Sequence, residues 1–156
     1  MKWDGYRALA GRWAEGRVAV RNRNGSDLAR AFPEIEEAVR RLPDDTAIDC
    51  ELVVWEAGRL AFRASPAAHA PPRCGCGRAA VEFPAHLVAF DLLRVHGRDL
   101  TRLPFAERYA ALEALFLEEV LAAPWSLCPT TTDPDKAAAW LADYTPVGIE
   151  GLVLIA

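Results

Sequence analysis

The segment Ala47-Ile48-Asp49-Cys50-Glu51-Leu52-Val53-Val54-Trp55 is the clearest β-strand signal in the sequence. Successive side chains of a strand point to opposite faces of a sheet, so one face is apolar and the other carries Asp49 and Glu51. Two carboxylates on a half-buried strand cost free energy unless they meet a cation or a hydrogen-bond donor. A metal ion or ribose hydroxyls could supply that partner, and a solvated outer face is the alternative. The apolar face consists of Ile48, Cys50, Leu52 and Val54.

A β-hairpin is predicted ahead of this strand. Residues 6–13 and 17–23 flank Ala14-Glu15-Gly16, in which the glycine suits a turn. Val18 and Val20 share one face of the second strand, which we expect to be buried. The opposite face is basic and carries Arg17, Arg21 and Arg23.

Three more strands follow towards the end of the chain. Residues 86–93 alternate, with Phe90 and Asp91 predicted on opposite faces. Residues 125–129 predict a short strand. Residues 150–156 begin with an acidic side chain and continue as a wholly apolar strand.

Proline marks the start of each predicted helix. Phe32-Pro33, Leu103-Pro104 and Asp133-Pro134 are suited to helix starts, and apolar residues recur after them at steps of three and four. Strands and helices in this order predict an α+β fold with antiparallel sheets flanked by helices. The length of 156 residues suits one domain.

Residues 63–80 lose all periodicity and predict a long loop. Cys74 and Cys76, with His69, are metal-ligating residue types, but a complete zinc site needs four ligands at better spacing. A loop without zinc is the favoured interpretation.

Composition limits the classes of function. No run of 18 apolar residues exists and no basic leader precedes Lys2, so we expect no membrane span and a cytoplasmic protein. The net charge is −4, which argues against a surface that binds nucleic acid throughout. Residues 1–30 nevertheless carry seven basic and three acidic side chains, 7 − 3 = +4, so a polyanion could dock at one end.

Lys2-Trp3-Asp4-Gly5-Tyr6-Arg7 combines a nucleophile with an anion-binding group. A lysine with an ordinary pKa of about 10.4 is almost wholly protonated at pH 7, and a catalytic lysine needs surroundings that lower its pKa by roughly 3 units. Asp4-Gly5 allows a tight turn, and Arg7 can bind a phosphate bidentately. A surface lysine beside a turn is the alternative.

Five segments, taken together, resemble the motifs of ATP-dependent DNA ligases of the bacterial type, in the same order and over nearly the whole chain. The resemblance implies the adenylation domain of the covalent nucleotidyltransferase fold, which resembles ATP-grasp, with ATP and Mg²⁺ or Mn²⁺ as cofactors and nicked double-stranded DNA as substrate. It implies a monomer that serves DNA repair or recombination. The segments are Lys2–Arg7, Arg23-Asn24-Gly25, Asp49-Cys50-Glu51-Leu52, Phe90-Asp91-Leu92-Leu93 and Glu150-Gly151-Leu152-Val153-Leu154.

The resemblance also implies a role for each matching residue. Lys2 is the catalytic nucleophile that attacks the α-phosphate of ATP to form lysyl-AMP. The implied nucleotide-binding residues are Arg7 near ribose and phosphate, Arg23 on phosphate, Glu51 near ribose and Phe90 stacked on adenine. The implied metal ligands are Glu51 and Glu150.

The chain departs from the family pattern at both ends. Only Met1 precedes Lys2, Ile155 stands where the family has a lysine, and the chain stops before an OB-fold domain. We therefore expect residues 1–156 to be a partial adenylation domain, truncated at both ends and lacking the OB-fold domain, with impaired DNA sealing. The alternative is a catalytically inactive, nucleotide-binding remnant of a ligase.

Overall fold

The computed structural model describes residues 1–56, 59–60, 85–147 and 149–155. These ranges contain nine strands and three α-helices. In chain order they are β1 (Lys2–Trp3), β2 (Tyr6–Arg12), β3 (Val18–Asn22), α1 (Pro33–Arg40), β4 (Thr46–Glu56), β5 (Arg59–Leu60), β6 (Ala85–Val95), β7 (Arg98–Asp99), α2 (Phe105–Glu118), β8 (Trp125–Leu127), α3 (Pro134–Tyr144) and β9 (Ile149–Gly151). The predicted loop at residues 63–80, with its candidate zinc ligands, lies outside the described residues.

The main sheet is built around β4. Its strand order is β3-β2-β4-β6-β7, with all of these neighbours antiparallel, and β5 also pairs antiparallel with β4. β8 is parallel to β6 and pairs with the edge of β6 that faces away from β4. A separate two-stranded sheet joins β1 to β9, the two ends of the chain. The predicted hairpin, central strand and α+β class are confirmed.

One face of the main sheet carries the principal core. Helices α1 and α2 pack there, and Ile48, Cys50 and Leu52 of β4 are fully buried beneath them. The predicted apolar stripes of both helices are buried, namely Ile35 and Val39 of α1 and Tyr109, Leu112, Leu115 and Phe116 of α2. Burial of such a side chain contributes about 1.5–3 kcal/mol. None of the helices in the described ranges has the length and apolar composition that a membrane crossing requires.

The opposite face of the sheet carries a smaller cluster. Val53 of β4, Val88 of β6 and Cys128 are buried there, and Trp3 and Phe90 pack against them. Through this cluster the β1–β9 sheet contacts the main sheet. Asp49 and Glu51 occupy the same face of β4 as Val53.

Three expectations from the sequence are wrong in detail. The apolar strand predicted over residues 150–156 ends at Gly151, and Leu154 is 93% exposed. β8 is parallel to its neighbour, not antiparallel. Phe90 is an extra residue in the β4–β6 register, in which Cys50 aligns with Ala89 and Asp49 with Asp91. Such a bulge breaks the strict alternation that predicted opposite faces for Phe90 and Asp91.

Gly5, between β1 and β2, allows the chain to pass close to β4. A Cβ atom added at this position would lie 2.6 Å from the backbone oxygen of Leu52 and 2.9 Å from Cγ of Glu51. These distances are shorter than van der Waals contact, so any side chain would push the segment that carries Lys2 away from the sheet.

We therefore predict that Gly5→Ala lowers the free energy of unfolding by about 1–3 kcal/mol, the usual range for overpacking. Urea denaturation followed by tryptophan fluorescence measures this change. Gly151→Ala is the matched control, because a Cβ atom there meets nothing within 4 Å. Equal stability of the two variants would contradict the close approach.

Candidate functional site

Lys2 and Glu150 form an ion pair between the two ends of the chain. Lys2 aligns with Gly151 in the β1–β9 ladder, and its Nζ lies 2.5 Å from Oε2 of Glu150. The hydrogen bond that Lys2 donates to Glu150 and the negative charge of Glu150 raise the pKa of Lys2, and the charges of Asp4 and Glu51 add to this. A nucleophilic lysine needs the opposite change, so Lys2 is held here as a cation.

Arg7, on β2, forms a second ion pair, with Asp49 on β4. Its Nε and Nη2 donate to Oδ1 and Oδ2 of Asp49 at 3.2 and 2.7 Å, which is bidentate geometry. The hydrogen bond with Asp49 and the charge of that carboxylate raise the pKa of Arg7. In the β2–β4 ladder Arg7 aligns with Glu51, so one arginine is adjacent to both carboxylates of the strand. Asp49 thereby gains the cation that burial of its charge requires.

Glu51 is the most strongly perturbed carboxylate of this face. Burial raises its pKa to about 7, and the negative charges of Asp49, Asp4 and Glu150 act in the same direction, while Arg7 acts against them. Burial and Glu150 raise the pKa of Asp4 as well. Four carboxylates therefore share a small space with two cations, and the region holds an excess of negative charge.

Phe90 borders the same space. It is half-buried against Val53 and Val88, and Cζ of Arg7 lies 5.6 Å from the centre of its ring. The cation over the ring fixes Arg7 and Phe90 relative to each other. An aromatic face and an anion-binding group thus lie beside Glu51, whose charge also reaches Lys2.

Arg23 differs from the other predicted site residues. It is exposed in the turn after β3, where Oδ1 of Asn22 accepts hydrogen bonds from the amides of Asn24 and Ser26. The β2–β3 ladder ends at Ala8 and Asn22, one residue short of Arg7 and Arg23. None of the described residues forms an ion pair with Arg23, and the structure does not join it to the cluster around Lys2.

The carboxylates fit the kind of metal ion that the family resemblance implies. Mg²⁺ prefers oxygen ligands and is commonly held by one or two carboxylates together with substrate phosphates. Glu51 and Glu150 are oxygen donors in a region of excess negative charge, which a divalent cation would neutralise. In the described ranges no three acidic, histidine or cysteine residues are grouped closely enough to hold a metal by themselves.

Sequence reasoning missed two ion-pairing partners. Asp49 was recognised as a carboxylate but not as the partner of Arg7, although the alternation of β4 already put it beside Glu51. Oδ1 and Oδ2 of Asp91 accept hydrogen bonds from Nε and Nη2 of Arg108 at 2.8 and 2.7 Å. Both side chains are largely buried. No spacing rule signals a pair that joins a strand to the second turn of the next helix.

A cavity of about 300 Å³ lies next to the smaller cluster. Its walls are mainly apolar and include Trp3, Val53 and Val88. His86, Ser126 and Tyr144 contribute polar groups. The cavity is therefore continuous with the packing of β1 against the main sheet.

Comparison with known proteins identifies relatives of the whole chain. A family model described as the ATP dependent DNA ligase domain matches residues 1–155. DNA ligase C2 of Mycolicibacterium smegmatis is 34% identical over 154 residues, which is 97% of this chain and 42% of the relative. DNA ligase C of Mycobacterium tuberculosis is 33% identical over 155 residues, again 97% of this chain and 43% of the relative.

A solved structure shares the fold. The structure of mycobacterial DNA ligase D complexed with ATP and MES superposes with a TM-score of 0.59 and 26% identity, covering 81% of this chain and 38% of that chain. The described α+β architecture is therefore that of a ligase domain. The chain spans less than half the length of each of these relatives.

The raised pKa of Glu51 predicts a specific dependence of stability on pH. Between its ordinary value of 4.5 and about 7, the folded state keeps a proton that the unfolded state releases, so the free energy of unfolding falls as pH rises. Glu51→Gln removes that fall, and its stability relative to the unaltered chain should increase from pH 4.5 to 7 and then level off.

Urea denaturation at several pH values measures this difference. Glu118→Gln, at an exposed position, is the control and should follow the unaltered chain. A constant difference between Glu51→Gln and the unaltered chain across the pH range would contradict the assigned pKa.

Proposed function

Because the chain belongs to the ATP-dependent DNA ligase domain family, we propose that it carries out the adenylation step of ligation, in which ATP and Lys2 form lysyl-AMP and pyrophosphate. Residues 1–156 are assigned to part of an adenylation domain, and none of the described elements is assigned to an OB fold. The observation that carries the proposal is that Arg7, Glu51 and Phe90 adjoin one another on one face of the main sheet, next to the β1–β9 sheet that holds the Lys2–Glu150 pair.

In the proposed reaction the neutral amine of Lys2 attacks the α-phosphorus. The N–P bond forms, the bond to the β-phosphate oxygen breaks, pyrophosphate leaves, and the amine loses a proton to solvent. Catalysis of this kind depends mainly on positioning and on neutralising phosphate charge. Arg7 supplies part of that charge, and the ring of Phe90 supplies a flat apolar surface for adenine.

Lys2 must leave Glu150 before it can react. A salt-bridged ammonium group has no free electron pair, and the hydrogen bond to Glu150 favours the charged form. Glu150 and Glu51 are the residues that would hold Mg²⁺ or Mn²⁺, whose charge neutralises carboxylates and phosphates when it is bound. If Glu150 held such an ion, Lys2 would be without the partner that favours its protonated form.

The later steps involve DNA. We propose that AMP passes from Lys2 to the 5′-phosphate at a nick in double-stranded DNA, and that the exposed Arg23 contributes to phosphate binding. The 3′-hydroxyl then displaces AMP. We propose that the chain acts as a monomer in the compartment that holds bacterial DNA, the cytoplasm, in repair or recombination.

A second candidate is nucleotide binding without chemistry. The observation that favours it is the raised pKa of Lys2, which leaves the amine protonated in this structure. The two candidates differ in whether a covalent adduct forms with ATP and a divalent cation.

Self-adenylation distinguishes the two candidates. With α-labelled ATP and Mg²⁺, we expect label on the denatured chain and its loss by more than about a thousandfold in Lys2→Arg, because arginine keeps the charge but is not a nucleophile. The sequence contains one other lysine, Lys136, which is exposed near Trp140. Lys136→Arg is therefore the matched control and should label normally. Undiminished labelling of Lys2→Arg would contradict the proposal.

A further inference from the structure

Two aspartates face each other across the main sheet beside the site. Asp49 on β4 aligns with Asp91 on β6, and each side chain is 15% exposed. Like charges directly opposite one another in a sheet destabilise it, and burial strengthens the repulsion. Each aspartate is paired with a different arginine, Asp49 with Arg7 and Asp91 with Arg108.

The two arginines are held very differently. The side chain of Arg108 is 17% exposed, its Nη1 donates to the carbonyl of Leu103 at 2.6 Å, and its Cζ lies 5.8 Å from the ring centre of Phe105. The side chain of Arg7 is 63% exposed and reaches over Phe90. Arg108 is therefore fixed by its own helix, whereas Arg7 can turn towards whichever anion attracts it.

Asp91 lies within electrostatic reach of Arg7. Its charge helps to raise the pKa of Arg7, after the hydrogen bond and charge of Asp49 and the charge of Glu51. If Arg108 were absent, Asp91 would be a largely buried, unpaired carboxylate with Arg7 as an accessible cation. An unpaired buried charge is strongly unfavourable, so Asp91 would compete with Asp49 and with a bound nucleotide for Arg7.

We propose that Arg108 is a positioning residue for nucleotide binding. Because it neutralises Asp91, Arg7 can pair with Asp49 and bind the phosphates of ATP without competition from Asp91. The inference rests on the proposed function, since it assumes that Arg7 and Phe90 contact the nucleotide. It adds a residue outside the five motifs, on a helix that packs behind the sheet. Its action passes through charge, so removal of Arg108 and removal of Asp91 have different consequences.

The test compares three variants by isothermal titration with ATP. Arg108→Met leaves Asp91 charged and unpaired, and we expect ATP binding to weaken by about tenfold. Asp91→Asn removes the stray charge and keeps a hydrogen-bond acceptor for Arg108, so its affinity should stay within about threefold of the unaltered chain. The double variant lacks both charges and should recover to within about threefold as well.

The free energy of unfolding is measured for each variant, so that affinity refers to folded protein. Arg108→Gln replaces Arg108→Met if the latter does not fold, because glutamine can still donate to the carbonyl of Leu103.

Equal weakening by Arg108→Met and Asp91→Asn, without recovery in the double variant, would indicate a purely structural ion pair and overturn the inference. Unchanged affinity in Arg108→Met would overturn it too. Failure of the unaltered chain to bind ATP would overturn the proposed function, and the inference with it.

Discussion

The bidentate pair between Arg7 and Asp49 is the contact on which the site depends. It joins β2 to β4 and places a cation beside Glu51 and over Phe90. Without a partner, Asp49 would be a largely buried charge next to a second carboxylate, an arrangement that burial penalises strongly. The pair thus allows β4, the centre of the sheet, to carry two acidic side chains on the face opposite the core.

Charge balance explains how the fold accommodates four neighbouring carboxylates. Among the described residues, two cations, Lys2 and Arg7, form ion pairs with the group of carboxylates Asp4, Asp49, Glu51 and Glu150. Burial raises the pKa of Glu51, and the charges of the other three carboxylates add to this. Each available cation is therefore held by a carboxylate, Lys2 by Glu150 and Arg7 by Asp49. The excess of carboxylates over cations favours a divalent cation at this face and opposes the phosphate groups of a nucleotide that arrives without one.

The sequence predicted the elements whose signals are local. Alternation located β2, β3 and β4, and the apolar stripes located α1 and α2, because burial of one face imposes the period of each element. Asp133 accepts hydrogen bonds from the amides of Asp135 and Lys136, as expected of a helix cap. Phe90, Glu51 and Lys2 are predicted from the family motifs. Glu51 and Phe90 belong to the main sheet, and Lys2 belongs to the β1–β9 sheet, which contacts the main sheet through Trp3.

The remaining features are not local. The pairing of Lys2 with Glu150 joins strands of two and three residues at opposite ends of the chain, which are too short to show a period. The extra residue at Phe90 alters the register without altering the composition of β6, and the Asp91–Arg108 pair depends on how α2 crosses the sheet. Residues 152–155 are apolar enough for a strand, yet their exposure shows that no partner strand covers them in the described structure.

The central claim is that one nucleotide site is formed by the face of β4 together with the β1–β9 sheet. A crystal structure of the chain with a non-hydrolysable ATP analogue and Mg²⁺ tests it most directly. We expect adenine against Phe90, phosphate oxygens near Arg7, and Lys2 separated from Glu150 and adjacent to the α-phosphate. A nucleotide bound elsewhere, such as in the cavity lined by Trp3 and Tyr144, with the Lys2–Glu150 pair intact, would contradict it.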